Sequence, residues 1–272
     1  MSYDIGSTFR ALHQPGNPFV MVNVWDRGSA IVMQSLGAKA LATSSAAYAY
    51  TLGRPDGGTV DRDESLAHAQ HIVSATSLPV QGDFENGFGD DPDTCAQTVR
   101  MAAEVGLAGI CIEDTMFPSG DPYPFDLAVE RMRAASAAAR ALPHDFIFTA
   151  RADGLMTGAY DTDEGVRRIA AFADAGADCL YAPMPADMAA LARITAATDK
   201  PVNALAAGPY TAQTLADFAA INVARMSIGS ALARVTHRAI YDAGRAMIGD
   251  GHFDMLGNGI SGDTIDALLT KE

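Results

Sequence analysis

Val80-Gln-Gly-Asp-Phe-Glu-Asn-Gly-Phe-Gly89 is a short apolar run that ends in two carboxylates, Asp83 and Glu85, and then opens into a glycine-rich turn. Side chains two apart on a strand point the same way, so both acids can face one pocket. A carboxylate pair at a strand end suits a hard divalent cation, because Mg²⁺ takes oxygen ligands and keeps several waters. The plainer reading is a strand end with two solvated acids. What other strand ends supply decides between the two.

Outward from this stretch the chain alternates short apolar runs with longer amphipathic ones. Strands are expected at Phe19–Val24, Ala38–Thr43, Pro79–Asp83, Gly109–Glu113, Phe146–Ala150, Asp178–Ala182, Pro201–Leu205 and Val223–Ile228. Helices are expected between them at Asp26–Leu36, Arg62–Ala75, Asp91–Val105, Asp126–Ala141, Asp161–Ala175, Ala186–Ala197, Thr211–Ala219 and Ser230–Ile248. The acids of Asp161-Thr-Asp-Glu164 belong in a first helical turn, and Gly37, Gly106 and Gly176 stand where a left-handed residue closes a helix. Eight strand-helix units with no linker-like stretch predict a (β/α)₈ TIM barrel, an α/β fold, as a single domain over residues 1–272. A doubly wound open sheet is the alternative, but it has fewer strands and carries its glycine-rich loop after the first. Residues 249–272 form a Gly- and Asp-rich tail with a short helix at Asp263–Leu269. Its Gly257-Asn-Gly-Ile-Ser-Gly262 matches a dinucleotide fingerprint but has too little chain after it to build one.

The composition narrows the partners. A net charge of −14 argues against nucleic acid and against an anionic membrane surface. Cys95, Cys111 and Cys179 have no C-x-x-C spacing and sit in apolar stretches, as buried reduced thiols do. The first residues lack the pattern of a signal peptide, and no apolar run reaches membrane-spanning length. A cytoplasmic protein is expected.

In a barrel, the carboxyl ends of the strands converge on one mouth, where the chemistry sits. Those ends carry Trp25-Asp26, Ser44-Ser45-Ala46 followed by Asp56, then Asp83 and Glu85, Glu113-Asp114, Arg151 with Asp153, and Asn203. Asp56, Asp83, Glu85 and Glu113 beside Arg151 suit a metal that bridges to a small carboxylate. Backbone N–H groups of Ser44–Ala46 could hold an oxyanion. Against this, Asp26 also reads as a helix N-cap, Asp153 as a turn acid and Asn203 as a satisfied core amide. Asp83, Glu113 and Arg151 follow apolar strands and need compensation for their charge.

Asn23-Val-Trp-Asp-Arg-Gly-Ser-Ala30, Thr43-Ser-Ser45, Arg54-Pro-Asp-Gly-Gly58, Asp83-Phe-Glu-Asn-Gly-Phe-Gly89, Ile112-Glu-Asp114 and Thr149-Ala-Arg-Ala-Asp153 resemble the isocitrate lyase/phosphoenolpyruvate mutase superfamily, in its order. The resemblance implies a Mg²⁺-dependent barrel, with Mn²⁺ as an alternative, that makes or breaks C–C or P–C bonds next to an enolpyruvate-like fragment. It implies Asp83 as metal ligand, with Asp56, Glu85 and Glu113 acting directly or through water. Ser44, Ser45 and Arg151 would hold the substrate, with Trp25, Ala46, Asn203 and Tyr210 as further substrate contacts, and Asp56, Glu113 and Arg151 as the catalytic set. It also implies a homotetramer, a dimer of dimers whose last helices are swapped between subunits.

The departures matter. Isocitrate and methylisocitrate lyases of the superfamily carry a Cys-Gly-His segment in the loop after the fourth strand, where this chain has Thr115-Met-Phe-Pro-Ser-Gly-Asp-Pro-Tyr-Pro124. The lysines are Lys39, Lys200 and Lys271, none placed for the mouth, which argues against a Schiff-base enzyme. The expectation is a lyase for a small α-keto or 2-hydroxy dicarboxylate, with oxaloacetate decarboxylation or related C–C cleavage favoured. Tyr123, Tyr210 or water would protonate the enolate. The alternatives are a phosphonopyruvate-type mutase or hydrolase, and a non-catalytic α-keto acid binder.

Overall fold

The computed structural model describes residues 4–270. Eight parallel strands close into a barrel in chain order: β1 (Phe19–Asn23), β2 (Ala40–Ala42), β3 (Val80–Asp83), β4 (Gly109–Glu113), β5 (Ile147–Arg151), β6 (Cys179–Tyr181), β7 (Val202–Leu205) and β8 (Arg225–Ser227). β8 returns to pair with β1, with Phe19 opposite Arg225, so no strand edge is left open. Twelve α-helices accompany the strands: α1 (Ile5–Leu12), α2 (Arg27–Ser35), α3 (Ser45–Thr51), α4 (Arg62–Val73), α5 (Pro92–Glu104), α6 (Phe125–Arg140), α7 (Gly154–Thr157), α8 (Thr162–Asp174), α9 (Met188–Ala196), α10 (Leu215–Ala219), α11 (Ala231–Arg245) and α12 (Gly262–Leu269).

Every expected strand is present: β4 has the expected bounds, β5 is shifted one residue forward to end on Arg151, and the other six are trimmed by one or two residues at an end. The reason is burial. Strands of a parallel barrel are covered on both sides, so they read as continuous apolar runs. Gly37, Gly106 and Gly176 do adopt positive φ just past α2, α5 and α8. Three helices go beyond the expectation: α1, α3 and α7. α3 changes the reading of the Ser44–Ala46 segment, which is the start of a helix and not a free loop. Ser44 caps it, accepting from the Ala47 N–H.

α1 closes the bottom of the barrel. Asp4 caps it, Phe9 is fully buried against Phe19, and Arg10 pairs with Asp145 at 2.6 Å and Asp178 at 2.8 Å. The helix comes so near the start of β5 that a Cβ on Gly6 would lie 1.7 Å from the Asp145 carbonyl oxygen, so no other residue fits there.

The barrel interior above α1 is polar. Arg225 has no solvent exposure, and its partners are neutral: Asn203 Oδ1 at 2.9 Å, Gln81 Oε1 at 2.7 Å, Thr149 Oγ1 at 3.3 Å and His13 Nε2 at 3.0 Å. Since a guanidinium only donates, His13 Nε2 accepts, and its Nδ1–H donates to the Phe9 carbonyl at 2.8 Å. Burial, then the Arg225 charge, lowers the His13 pKa to about 3. Unfolding frees the ring to take a proton near its ordinary value of about 6.5, which the folded ring refuses. His13 therefore contributes stability that is complete above about pH 6.5 and falls as the pH drops towards 3, by at most about 1.4 kcal/mol per pH unit. In an NMR titration the His13 ring is expected to stay neutral down to about pH 4, within the window that a folded pKa of about 3 sets. A midpoint near that of a free imidazole would place it outside this network.

α11 behaves unlike the other long helices. Only Ala233 along it is buried, while Val235, Ile240 and Tyr241, and beyond them Ile248, Phe253, Leu256 and Ile260, are exposed. α12 returns to the barrel and packs on α2, where the Ser35 hydroxyl donates to the Leu268 carbonyl at 2.7 Å. Among the described residues no helix is long and apolar enough to cross a membrane.

Candidate active site

A cavity of about 420 Å³ occupies the mouth at the carboxyl ends of the strands. Ser44, Ser45, Ala46, Asp56, Asp83, Glu85, Glu113, Arg151 and Asp153 all line it. β3 ends in Asp83, whose Oδ2 accepts from the Ser45 N–H at 3.0 Å and the Ser45 hydroxyl at 2.9 Å. The amide offered by the sequence for a substrate oxyanion is thus taken by a carboxylate of the protein itself. It lies in the first turn of α3, where the helix dipole favours negative charge.

Glu85 follows in a left-handed backbone conformation, φ +44°, which a residue with a Cβ rarely adopts. Three contacts hold the turn there: the Glu85 carbonyl accepts from the Glu113 N–H at 2.8 Å, its carboxylate accepts from the Gly58 N–H at 3.1 Å, and the Gly87 N–H donates to the Phe84 carbonyl at 2.7 Å. From behind, the fully buried Arg131 of α6 donates to the carbonyls of Asn86 and Gly89. The acid turn is therefore set by β2, β4 and α6 together.

Arg151, at the end of β5, is held by three acids. Its Nε lies 2.5 Å from Asp153, and its Nη1 lies 3.2 Å from Glu113 and 3.8 Å from Asp83. Among the described residues Nη2 donates no hydrogen bond, the one such bond of the side chain being Nε to Asp153. Asp153 is in turn fixed by its own N–H, which donates to Asp114 Oδ1 at 2.7 Å. Asp114, itself fully buried, points away from the mouth to Arg168 at 2.9 Å and the Tyr160 hydroxyl at 3.1 Å. Of the adjacent pair Glu113-Asp114, one acid serves the mouth and the other its support.

The mouth carries a surplus of negative charge, since Asp56, Asp83, Glu85, Glu113 and Asp153 line it with two guanidinium groups, Arg151 among the acids and Arg234 apart from them. Burial pushes the Glu85 carboxyl up to about 7 against the Gly58 hydrogen bond, with the Asp83 and Asp56 charges adding to the rise. Burial likewise raises Glu113 well above the usual carboxylate range; Arg151 opposes the rise, and Asp153, Asp83 and Glu85 add to it. A hard divalent cation offsets such a surplus, and the donors are all oxygen, so the set fits Mg²⁺. Among the described residues no three acids, histidines or cysteines are gathered as a closed cage. That suits a cation which takes one or two carboxylates and keeps its waters.

Other residues singled out from the sequence lie elsewhere. Asp26 caps α2, accepting from the Ser29 N–H. Trp25 is outside the cavity and offers its carbonyl to His68 at 2.8 Å. The Tyr210 hydroxyl donates towards the carbonyls of Pro185 and Asp187, and the Tyr123 hydroxyl donates to Asp90, so neither phenol lines the mouth. Asn203 lies one layer down, in a small cavity of about 40 Å³ with Arg225 and Ser227. Cys111 lines this lower cavity too, and burial raises its pKa, so it does not replace a loop cysteine in the mouth.

Tyr181 is what the sequence reading missed. It ends β6 beside Arg151 in register, its ring 5.3 Å from the guanidinium carbon, and it lines both cavities. An aromatic closing an apolar strand looks like core; only its place at a carboxyl end could have flagged it. The loop Thr115–Pro124 is folded over the rim, with Thr115 bridged to Pro122 and Phe117 packed on Gly57 and Gly58. A Cβ on Gly58 would lie 2.9 Å from that of Phe117.

Comparison with known proteins adds a second line. The family model of phosphoenolpyruvate phosphomutase matches residues 9–248. The chain is 30% identical to an oxaloacetate decarboxylase of Chromohalobacter salexigens, covering 88% of this chain and 84% of that one. It is 30% identical to the 2-methylisocitrate lyase of Escherichia coli, covering 72% and 68%. A crystal structure from Burkholderia cenocepacia, described as a candidate lyase/mutase, superposes with a TM-score of 0.93 at 42% identity, over 98% of this chain and 95% of that one.

Proposed function

Because the chain belongs to the phosphoenolpyruvate phosphomutase family, within the isocitrate lyase/phosphoenolpyruvate mutase superfamily, we propose that it is a Mg²⁺-dependent lyase of a small α-keto or 2-hydroxy dicarboxylate, with oxaloacetate decarboxylation or a related C–C cleavage as its reaction. The observation that carries this reading is the mouth itself, where surplus carboxylates surround Arg151, whose Nη2 donates no hydrogen bond to the described residues and can take a ligand.

Asp83 would hold the metal, with Asp56, Glu85 and Glu113 directly or through water, and the bound ion would supply Lewis acidity towards a substrate oxygen. The chain's own residues do the rest. Arg151 orients the substrate carboxylate through Nη2, held rigid by Glu113 and Asp153. Ser45 fixes the Asp83 carboxylate from two sides. As the C–C bond breaks, its electron pair moves towards the carbonyl oxygen and leaves a nucleophilic carbon to be protonated. Tyr181 is the donor we assign, because its ring lies beside Arg151, the residue lines the mouth, and a phenol carries its proton at neutral pH. The folded-over loop Thr115–Pro124 limits water at the mouth.

The assembly reading follows from α11. Its exposed apolar side chains support a homotetramer in which the last helices cross to a neighbouring subunit, with residues 1–272 as one barrel unit and 249–272 as its tail. Three buried, unpaired cysteines fit a cytoplasmic location.

A substrate panel tests the function. With Mg²⁺ present, release of the keto-acid product is measured, glyoxylate from isocitrate and pyruvate from oxaloacetate, 2-hydroxy dicarboxylates, methylisocitrate and phosphonopyruvate, and EDTA should silence whatever turns over. Isocitrate and methylisocitrate should turn over negligibly, since no loop cysteine is present. Efficient methylisocitrate cleavage refutes the loop argument, and ³¹P-detected turnover of phosphonopyruvate alone favours the P–C enzyme. Tight keto-acid binding without turnover across the panel makes the protein a binder.

A further inference from the structure

The charges of the mouth are not spread evenly around its rim. The acids come from the loops after β2, β3 and β4, with Asp153 after β5. The β6–β7 side is apolar, presenting Met184 and Leu205. Beyond it the loop after β8 leads into α11, whose first turn brings Arg234 to the cavity. In a closed ring of eight strands, β8 stands opposite β4, so Arg234 lies across the mouth from Glu113. Arg151 is occupied by three carboxylates, whereas Arg234 has no acid within ion-pair distance among the described residues. The start of a fifteen-residue helix adds its positive dipole end to the same side.

A site with a polar head region, an apolar middle and a free cation at the far rim matches a ligand with a second carboxylate. We propose that Arg234 is a specificity-determining residue that receives the far carboxylate of a dicarboxylic substrate whose keto or hydroxy acid head lies at Asp83 and Arg151. The inference rests on the mouth being a keto-acid or hydroxy-acid site. It adds what that reading leaves open, the group that selects for a second charge. The apolar stretch at Met184 and Leu205 accommodates the carbons between the two carboxylates. A terminal methyl reaching the same rim would gain nothing from the guanidinium, which stays hydrated.

The test compares two ligands of equal chain length, 2-oxoglutarate and 2-oxopentanoate, which differ only in a terminal carboxylate or methyl. Binding of each to the Mg²⁺-loaded protein is measured by calorimetry for the wild type, Arg234→Met and Arg234→Lys. The wild type should prefer 2-oxoglutarate about two- to fivefold, the range of an ion pair made by an exposed guanidinium such as that of Arg234. Arg234→Met should abolish that preference and leave 2-oxopentanoate affinity unchanged, which also reports an intact site. Arg234→Lys should keep part of it. No preference in the wild type, an undiminished preference in Arg234→Met, or an equal loss of both ligands in Arg234→Met overturns the assignment. If the wild type binds neither ligand in a Mg²⁺-dependent way, the keto-acid reading falls and the role of Arg234 falls with it. If it binds both and only the preference fails to follow Arg234, the keto-acid reading stands alone.

Discussion

Asp83→Ala is expected to abolish Mg²⁺ binding and turnover while the barrel stays folded. Asp83 is the acid that lies between the Ser45 hydrogen bonds and Arg151, and the other acids surround it. Without it, Glu85 and Glu113 keep the burial that raises their pKa values and cannot take over as fixed anions. The structural cost is small, because the Ser45 groups released lie in a cavity that water can enter; two lost hydrogen bonds of about 1 kcal/mol each set its scale. Asp83→Asn sharpens the test, since the amide oxygen still accepts from Ser45 while the charge is gone. Calorimetry should find Mg²⁺ affinity lost in both variants, with circular dichroism and melting close to wild type. Unchanged Mg²⁺ affinity in Asp83→Ala would remove it from the metal site.

Tyr181→Phe should lower kcat by about 10²–10⁴-fold, the contribution of one general acid. The substitution deletes a single oxygen and keeps the ring against Arg151, so KM for the keto acid and the melting temperature should hardly move. The separation of kcat from KM is the point, because a packing role would disturb both. A second measurement is available in D₂O. With 3-methyloxaloacetate as substrate the protonated carbon becomes a CHD centre, which is labelled stereospecifically when Tyr181 delivers the proton to one face, whereas in Tyr181→Phe solvent should deliver it to both faces. A variant with near wild-type kcat and retained stereospecificity would assign the donor role to some other group.

The fold was legible because the barrel's strands are buried on both sides and its helices carry polar faces, so the two periods alternate cleanly along the chain. What escaped was short or capped. α1 spans eight residues, two turns announced only by Asp4, and α3 begins at a serine that reads equally as a loop. The acids of the mouth were legible because a charge directly after an apolar strand has few other places to go. Asn203, Trp25 and Tyr210 were harder, since nearness to a strand end does not fix depth. Barrel strands tilt against the axis, so a hydrogen-bonded row descends as it crosses the sheet. The row Glu113–Arg151–Tyr181–Asn203–Arg225 begins at the mouth and ends in the interior, with Tyr181 at the level where both cavities meet. Only three-dimensional tilt tells that Arg151 lines the mouth and Asn203 the interior.

Arg225 ties Gln81 of β3, Thr149 of β5, Asn203 of β7 and His13 after α1 into one set of mutual partners. No member of such a set can drift alone. An apolar replacement of Gln81 or Asn203 strands a buried cation, whereas the same replacement made after Arg225 has become apolar leaves nothing charged behind. The order of substitutions then decides which are viable, so the interior should show strong epistasis even where the surface is permissive. Libraries that vary these positions one at a time should return almost only wild type, and a redesign that recodes them as a block should find solutions that single-site scanning never reaches.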